Sequence, residues 1–308
     1  KLYPTSFVQE KTINYFKQID PNIPFLTFVS FPDPHHPFTP PGKYWDMYDP
    51  ESFEVKLEFK DHKNPIEPMK KVYQMFLDGV EPKLATSVFM ADKRHIQESM
   101  ALTAGMVTMI DDAIGKILSI LKEKKLFENT VIIFSSDHGD YLGHFSLMLK
   151  GALPFESITK VPFIWSDPST RKSLNSNALA STVDIAPTIL KRADIKPFWG
   201  IQGKNLLPNI SNNSKVRDKL IIEYHDNTAR FGFEKPAFVR SLVTNQYRFT
   251  LYKDEPFGEL YDLKNDPNET FNLFDESTHI NIRNELTRLL IYEMMENMDK
   301  SPIPKLLA

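Results

Sequence analysis

The chain reads as an α/β protein: a mixed, mostly parallel sheet flanked by helices, then a small antiparallel sheet with a helix of its own. Three observations predict this. Residues 130–134, Thr-Val-Ile-Ile-Phe, place four apolar residues in a row, as in a strand buried on both faces. A long amphipathic pattern precedes that run, and strand and helix patterns alternate after it. Beyond residue 217 the alternation gives way to four short β-rich runs and a closing helix, the order of an antiparallel meander.

Between Pro4 and Asp20, Phe7, Ile13, Phe16 and Ile19 recur at loose helical spacing until Asp20-Pro21 stops them, which predicts a surface helix. Residues 25–31, Phe-Leu-Thr-Phe-Val-Ser-Phe, are apolar and bounded by prolines, as expected of a buried strand. Residues 32–90 carry many prolines and little periodicity, so an irregular excursion with at most short helices should follow. From Asp92 to Lys125 a stripe of Met106, Ile110, Ala113, Ile117 and Leu121 predicts a long helix lying on a sheet. A second buried strand is expected over 160–165. Asp184-Ile-Ala-Pro-Thr-Ile-Leu reads as a helix with an Asp cap and Pro in its first turn.

Residues 204–217, rich in Asn and Ser, read as a linker dividing the chain into units of 1–212 and 213–308. In the second unit, strands are expected at 220–224, 237–243, 247–252 and 259–263, with a tight turn at 244–246. A last helix, about 280–298, would lay Ile282, Leu286, Leu289 and Leu290 over that sheet. No repeat or low-complexity tract occurs. Sequons begin at Asn209, Asn212 and Asn268, but such short patterns arise often by chance.

Composition narrows the function. With 37 Lys and Arg against 40 Asp and Glu, the 308-residue chain carries a formal charge of −3 and lacks the basic excess that sequence-independent nucleic-acid binding needs. No apolar run approaches the length of a membrane span. With no cysteine, the chain holds no disulfide, thiolate metal site or cysteine nucleophile. It opens Lys1-Leu2-Tyr3 without an initiator Met, and a processed chain or a fragment is expected.

The chemistry gathers where predicted strands run out. Ser-Ser-Asp137-His138-Gly139-Asp140 follows the strand at 130–134, and in open α/β sheets ligands bind at that edge. A carboxylate followed at once by an imidazole can offer a hard oxygen and a borderline nitrogen to one cation. The same tetrapeptide also suits a strand-ending turn with a capping Asp. Lys150 lies 13 residues beyond Asp137, and His35 and His36 follow the expected strand at 25–31. Together these would serve an anionic substrate with a poor leaving group, which needs a cation, a point charge and a proton donor. Read singly, each is equally a solvated loop residue.

The order of the motifs is more specific than any one of them. Phe-Pro-Asp-Pro-His-His-Pro-Phe-Thr-Pro-Pro at 31–41, Met-Ile-Asp-Asp-Ala-Ile-Gly at 109–115, and Asn-Thr-Val-Ile-Ile-Phe-Ser-Ser-Asp-His-Gly-Asp-Tyr-Leu-Gly at 129–143 are followed by Lys-Gly-Ala-Leu-Pro-Phe-Glu-Ser-Ile-Thr-Lys-Val-Pro at 150–162. This series resembles the later part of the type I sulfatases, in the alkaline-phosphatase-like superfamily. The resemblance continues through Ser-Thr-Val-Asp-Ile-Ala-Pro-Thr-Ile-Leu, Ile-Gln-Gly-Lys-Asn-Leu, Tyr-Arg-Phe and Glu-Leu-Tyr-Asp-Leu-Lys-Asn-Asp-Pro-Asn-Glu-Thr-Phe-Asn-Leu, nearly to the end of the chain.

The resemblance implies that Asp137 and His138 are two ligands of one divalent cation, Ca2+ most commonly and Mn2+ or Mg2+ in some members. Lys150 would contact the sulfate oxygens. His35 would protonate or orient the leaving-group oxygen, with His36 ranked below it. Many relatives read Leu-Gly-Asp/Glu-His-Gly where this chain has Leu142-Gly143-His144-Phe145-Ser146, so His144 is taken as a plain loop histidine. Glu223, His225 and Arg240, near predicted strand ends, are set aside as surface residues. The family's nucleophile is a formylglycine made from Cys or Ser in Cys/Ser-x-Pro/Ala-x-Arg, and the chain contains no such sequence. The expected partner is therefore the N-terminal portion of the same enzyme, carrying the nucleophile and further ligands, without which the chain should be inactive. The substrate class implied is a sulfated carbohydrate or aryl sulfate ester, and family habit favours the periplasm or the cell exterior. Two alternatives stand beside it: a phosphonate monoester or phosphodiester hydrolase of the same superfamily, and a non-catalytic glycan-binding fragment.

Overall fold

A computed structural model describes residues 3–80, 89–170 and 173–300. Part of the expected 32–90 excursion, residues 81–88, lies outside the described residues. Helix α1 (Pro4–Gln18) opens with Pro4, whose missing N–H has no partner to lose in a first turn, and ends close to the expected Asp20 stop. The excursion holds short 3₁₀ turns and one longer helix, α2 (Glu67–Leu77), which buries Met69 and Val72. Helix α3 (Lys93–Glu123) starts where Asp92 accepts a hydrogen bond from the His95 backbone N–H at 3.0 Å. All five residues of its predicted stripe are buried.

That stripe does not lie on a sheet. Ile117 and Leu121 pack against Phe16 of α1 and against Phe25, Val29 and Phe31. Residues 25–31 form no strand among the described residues. Their odd-numbered side chains point into this cluster, while Leu26 and Phe28 face outward at 80 % and 92 % exposure. The alternation is that of a strand with one face covered; what it lacks, among the described residues, is a ladder partner.

The mostly parallel sheet is likewise absent from the described residues. Strand β1 (Ile132–Ser135) pairs antiparallel with β2 (Phe163–Ser166), with Phe134 opposite Ile164. A parallel pair needs a crossover long enough to return over one face. Here the connection folds back on itself and contains a 3₁₀ turn (His144–Ser146) and a one-turn helix, α4 (Glu156–Thr159). Phe134, Phe163 and Ile164 stay exposed where strands buried on both faces were expected.

Helix α5 (Ile185–Arg192) forms as expected, but Asp184 does not cap it. Its buried carboxylate instead accepts from the backbone N–H groups of Ser181 and Lys204 and pairs with Arg217 at 2.5 Å. The stretch read as a linker therefore contains α6 (Leu207–Asn212) and is pinned by a buried ion pair.

The final unit follows its pattern closely. Strands β3 (Lys219–His225), β4 (Phe238–Thr244), β5 (Tyr247–Tyr252) and β6 (Gly258–Asp262) form an antiparallel meander in chain order. The register aligns Leu242, Phe249 and Leu260 across three strands, and helix α7 (Ile280–Glu296) buries Leu286 and Leu290 against them. On the opposite face Val239, Tyr252 and Tyr261 pack against Tyr141, Phe155 and Phe231, joining the meander to the segment that follows β1.

Candidate active site

β1 ends in a turn that holds itself together. Ser136 Oγ donates to the His138 carbonyl oxygen at 2.9 Å, and the His138 backbone N–H donates to Asp137 Oδ1 at 2.9 Å. The capping role open to Asp137 is thus filled by one oxygen only. Oδ2 faces His138 Nε2 at 3.6 Å, and the Asp137 side chain is 84 % exposed. His138 Nδ1 lies 2.8 Å from the Gly139 carbonyl oxygen, which can only accept, so Nδ1 carries hydrogen and it is Nε2 whose lone pair the neutral ring would offer. One carboxylate oxygen and one imidazole nitrogen are therefore presented side by side, a donor set suited to a divalent cation. Among the described residues no group of three or more His, Asp or Glu side chains converges as a cation cage.

Gly139 is required by packing. A Cβ there would sit 1.9 Å from the Ser157 carbonyl oxygen, because the Gly139 N–H donates to the Ile158 carbonyl oxygen at 2.8 Å. The turn is thereby braced against α4.

The following segment returns Lys150 to the same place. Tyr141 N–H donates to Leu149 O at 2.8 Å, Gly143 N–H donates to Leu147 O at 2.7 Å, and Phe145, Leu147, Met148 and Leu149 are buried as anchors. Asp137 and Asp140 both raise the Lys150 pKa, but burial lowers it more, and the ammonium titrates below its ordinary value. Burial raises the Asp140 carboxyl. His36 is lowered by burial and then by the charges of His35 and Lys150. Lys150 thus sits within electrostatic reach of Asp137, Asp140 and His36.

The two neighbouring histidines stack at 4.0 Å between ring centroids. His35 Nδ1 contacts the His36 carbonyl oxygen at 2.6 Å, which fixes hydrogen on that nitrogen and leaves Nε2 to exchange a proton. Sequence reading ranked His36 low, and it missed Arg230, which also acts on Lys150. Arg230 is held by Asp226 at 2.6 Å in the β3–β4 connection, and no local motif marks it. His144 stands apart from this group: its Nδ1 meets Ser157 Oγ at 3.0 Å, and burial lowers its pKa to about 4. Arg240 pairs with Glu223 at 2.7 Å and His225 at 2.7 Å on the meander.

Comparison with solved structures shows the fold, and the family models show the class of protein. A structure solved in complex with its substrate D-glucosamine-2-N,6-O-disulfate superposes with a TM-score of 0.82 at 21 % identity, over 99 % of this chain and 72 % of that one. The phosphonate monoester hydrolase of Agrobacterium radiobacter superposes at 0.78 with 21 % identity, over 96 % of this chain and 61 % of that one. The architecture is the alkaline-phosphatase-like sulfatase fold. Residues 4–195 match the Sulfatase family and residues 145–296 match the C-terminal region of N-sulphoglucosamine sulphohydrolase, so the chain belongs to the sulfatase family. An arylsulfatase of Clostridium perfringens is 29 % identical over 298 residues, 95 % of this chain and 58 % of the relative. The chain spans about half the length of the curated relatives it matches. No helix among the described residues is long and apolar enough to cross a membrane.

Proposed function

We propose that this chain supplies the cation- and anion-binding half of a hydrolase that cleaves sulfate esters of carbohydrates or aryl alcohols. A nucleophile-bearing portion outside these 308 residues would complete the site. The observation that supports the reading is the Tyr141 N–H to Leu149 O bond at 2.8 Å, which folds the residue before Lys150 back beside the Asp137–Asp140 turn at the end of β1. Asp137 through Oδ2 and His138 through Nε2 would hold the cation, Ca2+ first and Mn2+ or Mg2+ next, with its remaining ligands on the other portion. When bound, the cation supplies charge neutralisation at the ester oxygens and formylglycine the attacking oxygen. Lys150 adds a positive charge against the sulfate oxygens. His35, with Nδ1 tied to the His36 carbonyl, gives the proton on Nε2 to the leaving oxygen.

Two features support a completing portion. Leu26, Phe28, Phe134, Phe163 and Ile164 leave apolar surface uncovered. The cleft beside Asp137 and His138, walled by Phe163, Trp165, Tyr224 and Tyr292, encloses about 2460 Å³, well beyond the ~300–1,000 Å³ of a small-ligand site. We assign the division near residue 212 to the change from the site-bearing unit to the meander. The phosphonate monoester hydrolase reading remains the rival, because that enzyme shares the fold.

Initial rates of the complete enzyme on matched aryl sulfate, phosphodiester and phosphonate monoester substrates separate the two. The sulfate ester should be fastest, and a dominant phosphodiester or phosphonate rate overturns the assignment. Asp137→Ala should abolish stoichiometric cation binding and lower kcat/KM by about 10²–10³-fold; unchanged metal content and rate would show that the ligand set is wrong.

A further inference from the structure

Two sequence motifs, Tyr247-Arg248-Phe249 and the run from Glu259 to Leu273, have no part in the site just described. Yet, with Asp184, they hold the most deeply buried charges among the described residues. Arg248, Glu259 and Glu269 are 2 %, 1 % and 0 % exposed. The register explains their meeting. Thr250 opposes Glu259 and Arg248 opposes Tyr261, so these side chains share the face of the meander that turns toward the β1 segment. Arg248 Nη1 reaches Glu259 Oε2 at 3.2 Å, and its Nε donates to Glu269 Oε1. Tyr252 and Tyr261 hydroxyls donate to Glu259 at 2.6 and 3.0 Å. The guanidinium also lies over the Phe155 and Tyr261 rings, at 5.1 and 4.6 Å from their centroids.

Glu269 does more than balance Arg248. Its second oxygen, Oε2, accepts from the backbone N–H of Glu156 at 2.9 Å. Glu156 is the first residue of α4, so the bond satisfies one of the donors that a helix start leaves open. The same turn of helix presents Ile158 O to the Gly139 N–H at 2.8 Å, and Gly139 adjoins His138. A continuous path therefore runs from Arg248 through Glu269, the Glu156 N–H and α4 to the backbone of the Asp137-His138 turn.

We propose that Glu269 is a positioning residue for the cation-binding turn, acting through the backbone of α4, with Arg248 and Glu259 fixing its carboxylate. This rests on the reading of Asp137 and His138 as cation ligands. A short, self-bonded turn with one exposed carboxylate sets its donor geometry only as well as its outer support allows, and loss of such support typically weakens metal binding ~10–100-fold.

The test is calorimetric titration of the complete enzyme, wild type and three variants, with Ca2+ and, where the wild type binds none, with Mn2+ or Mg2+ in its place. Glu269→Ala removes the acceptor. Glu156→Pro removes the N–H donor, and with it only a solvent-exposed ion pair to Lys160, at a first helical position where Pro is well tolerated and after a residue already extended (Phe155 ψ 155°). Leu290→Ala destabilises the same sheet from its α7 face without touching the path. Both path variants should weaken Ca2+ binding by at least about fivefold, toward the loss seen for outer supports of metal ligands, while Leu290→Ala stays within twofold of the wild type. Unchanged affinity in the path variants, or an equal loss in Leu290→Ala, overturns the positioning role and leaves the ligand assignment standing. If the unsubstituted enzyme binds no Ca2+, Mn2+ or Mg2+, the ligand assignment falls and the positioning role with it.

Discussion

The two halves of the chain solve the problem of a β-edge in opposite ways. In the C-terminal meander each strand pairs with its neighbour in chain order, α7 covers one face, and the 141–155 segment covers the other. In the first half, residues 25–31 have no ladder partner among the described residues, the β1–β2 pair stands alone, and Phe28 lies 92 % exposed. Such edges invite pairing with another segment. The contrast teaches where stability and function reside: the meander is covered on both faces, by α7 and by the 141–155 segment, while the candidate site sits on the side that stays open.

The largest effect on stability should come from breaking the buried charge cluster. Arg248→Ala leaves Glu259 and Glu269 without their cation in a dry interior and should cost about 3–5 kcal/mol in urea unfolding. A cost near zero would mean that the meander is not held through this cluster. Cavity formation comes next. Leu290→Ala should cost about 2–4 kcal/mol, because Leu242, Phe249 and Leu260 surround it from three strands.

Acid should weaken the meander side more gently. Burial lowers both His62 and His144 to about 4, below the ~6.5 of an unfolded histidine. The unfolded chain therefore binds protons first, so the contribution of these groups is complete above pH ~6.5 and is lost as pH falls toward 4. By pH 5.5 each should have lost roughly 1 kcal/mol, and His62→Gln should flatten the slope of unfolding free energy against pH. An identical slope in the variant removes His62 from the explanation. Smallest of all is the open side: Phe28→Ser should change the Tm of this chain by under about 0.5 kcal/mol equivalent, since no packing is lost. It should nevertheless weaken capture of the nucleophile-bearing portion, and undiminished capture would place the docking surface elsewhere.

The legibility of the sequence divides along the same line. The meander, its turn and α7 were readable because each strand's partner lies next in the chain and the period-two alternation matches one covered face. Helix α3 was readable from its stripe, but what the stripe covers was not: periodicity marks a buried face without naming its partner. Residues 25–31 and 130–134 read as buried strands because their composition is that of strands covered on both faces, whereas the described residues cover them only in part. Asp184 misled as a helix cap because its partners, Lys204 and Arg217, lie 20 and 33 residues onward.

Asp137, His138, Lys150 and His35 are assigned to the candidate site from a resemblance in motif order, and the fold adds the charges that act on Lys150. Arg230 had no signal, since a single Arg in a loop becomes meaningful only when Phe231 packs beneath Gly151 and brings the two loops together. The buried cluster was hidden for a related reason: Arg248, Glu259 and Glu269 come from β5, β6 and the loop after β6, and only the register brings them together.

The most direct measurement is sulfate release from an aryl sulfate ester by this chain alone and after mixing with the nucleophile-bearing portion, at saturating Ca2+. A chain that binds cation and anion but has no attacking group should show no turnover alone and measurable turnover once mixed. Sulfate release by the chain alone would contradict the division of the site between two portions.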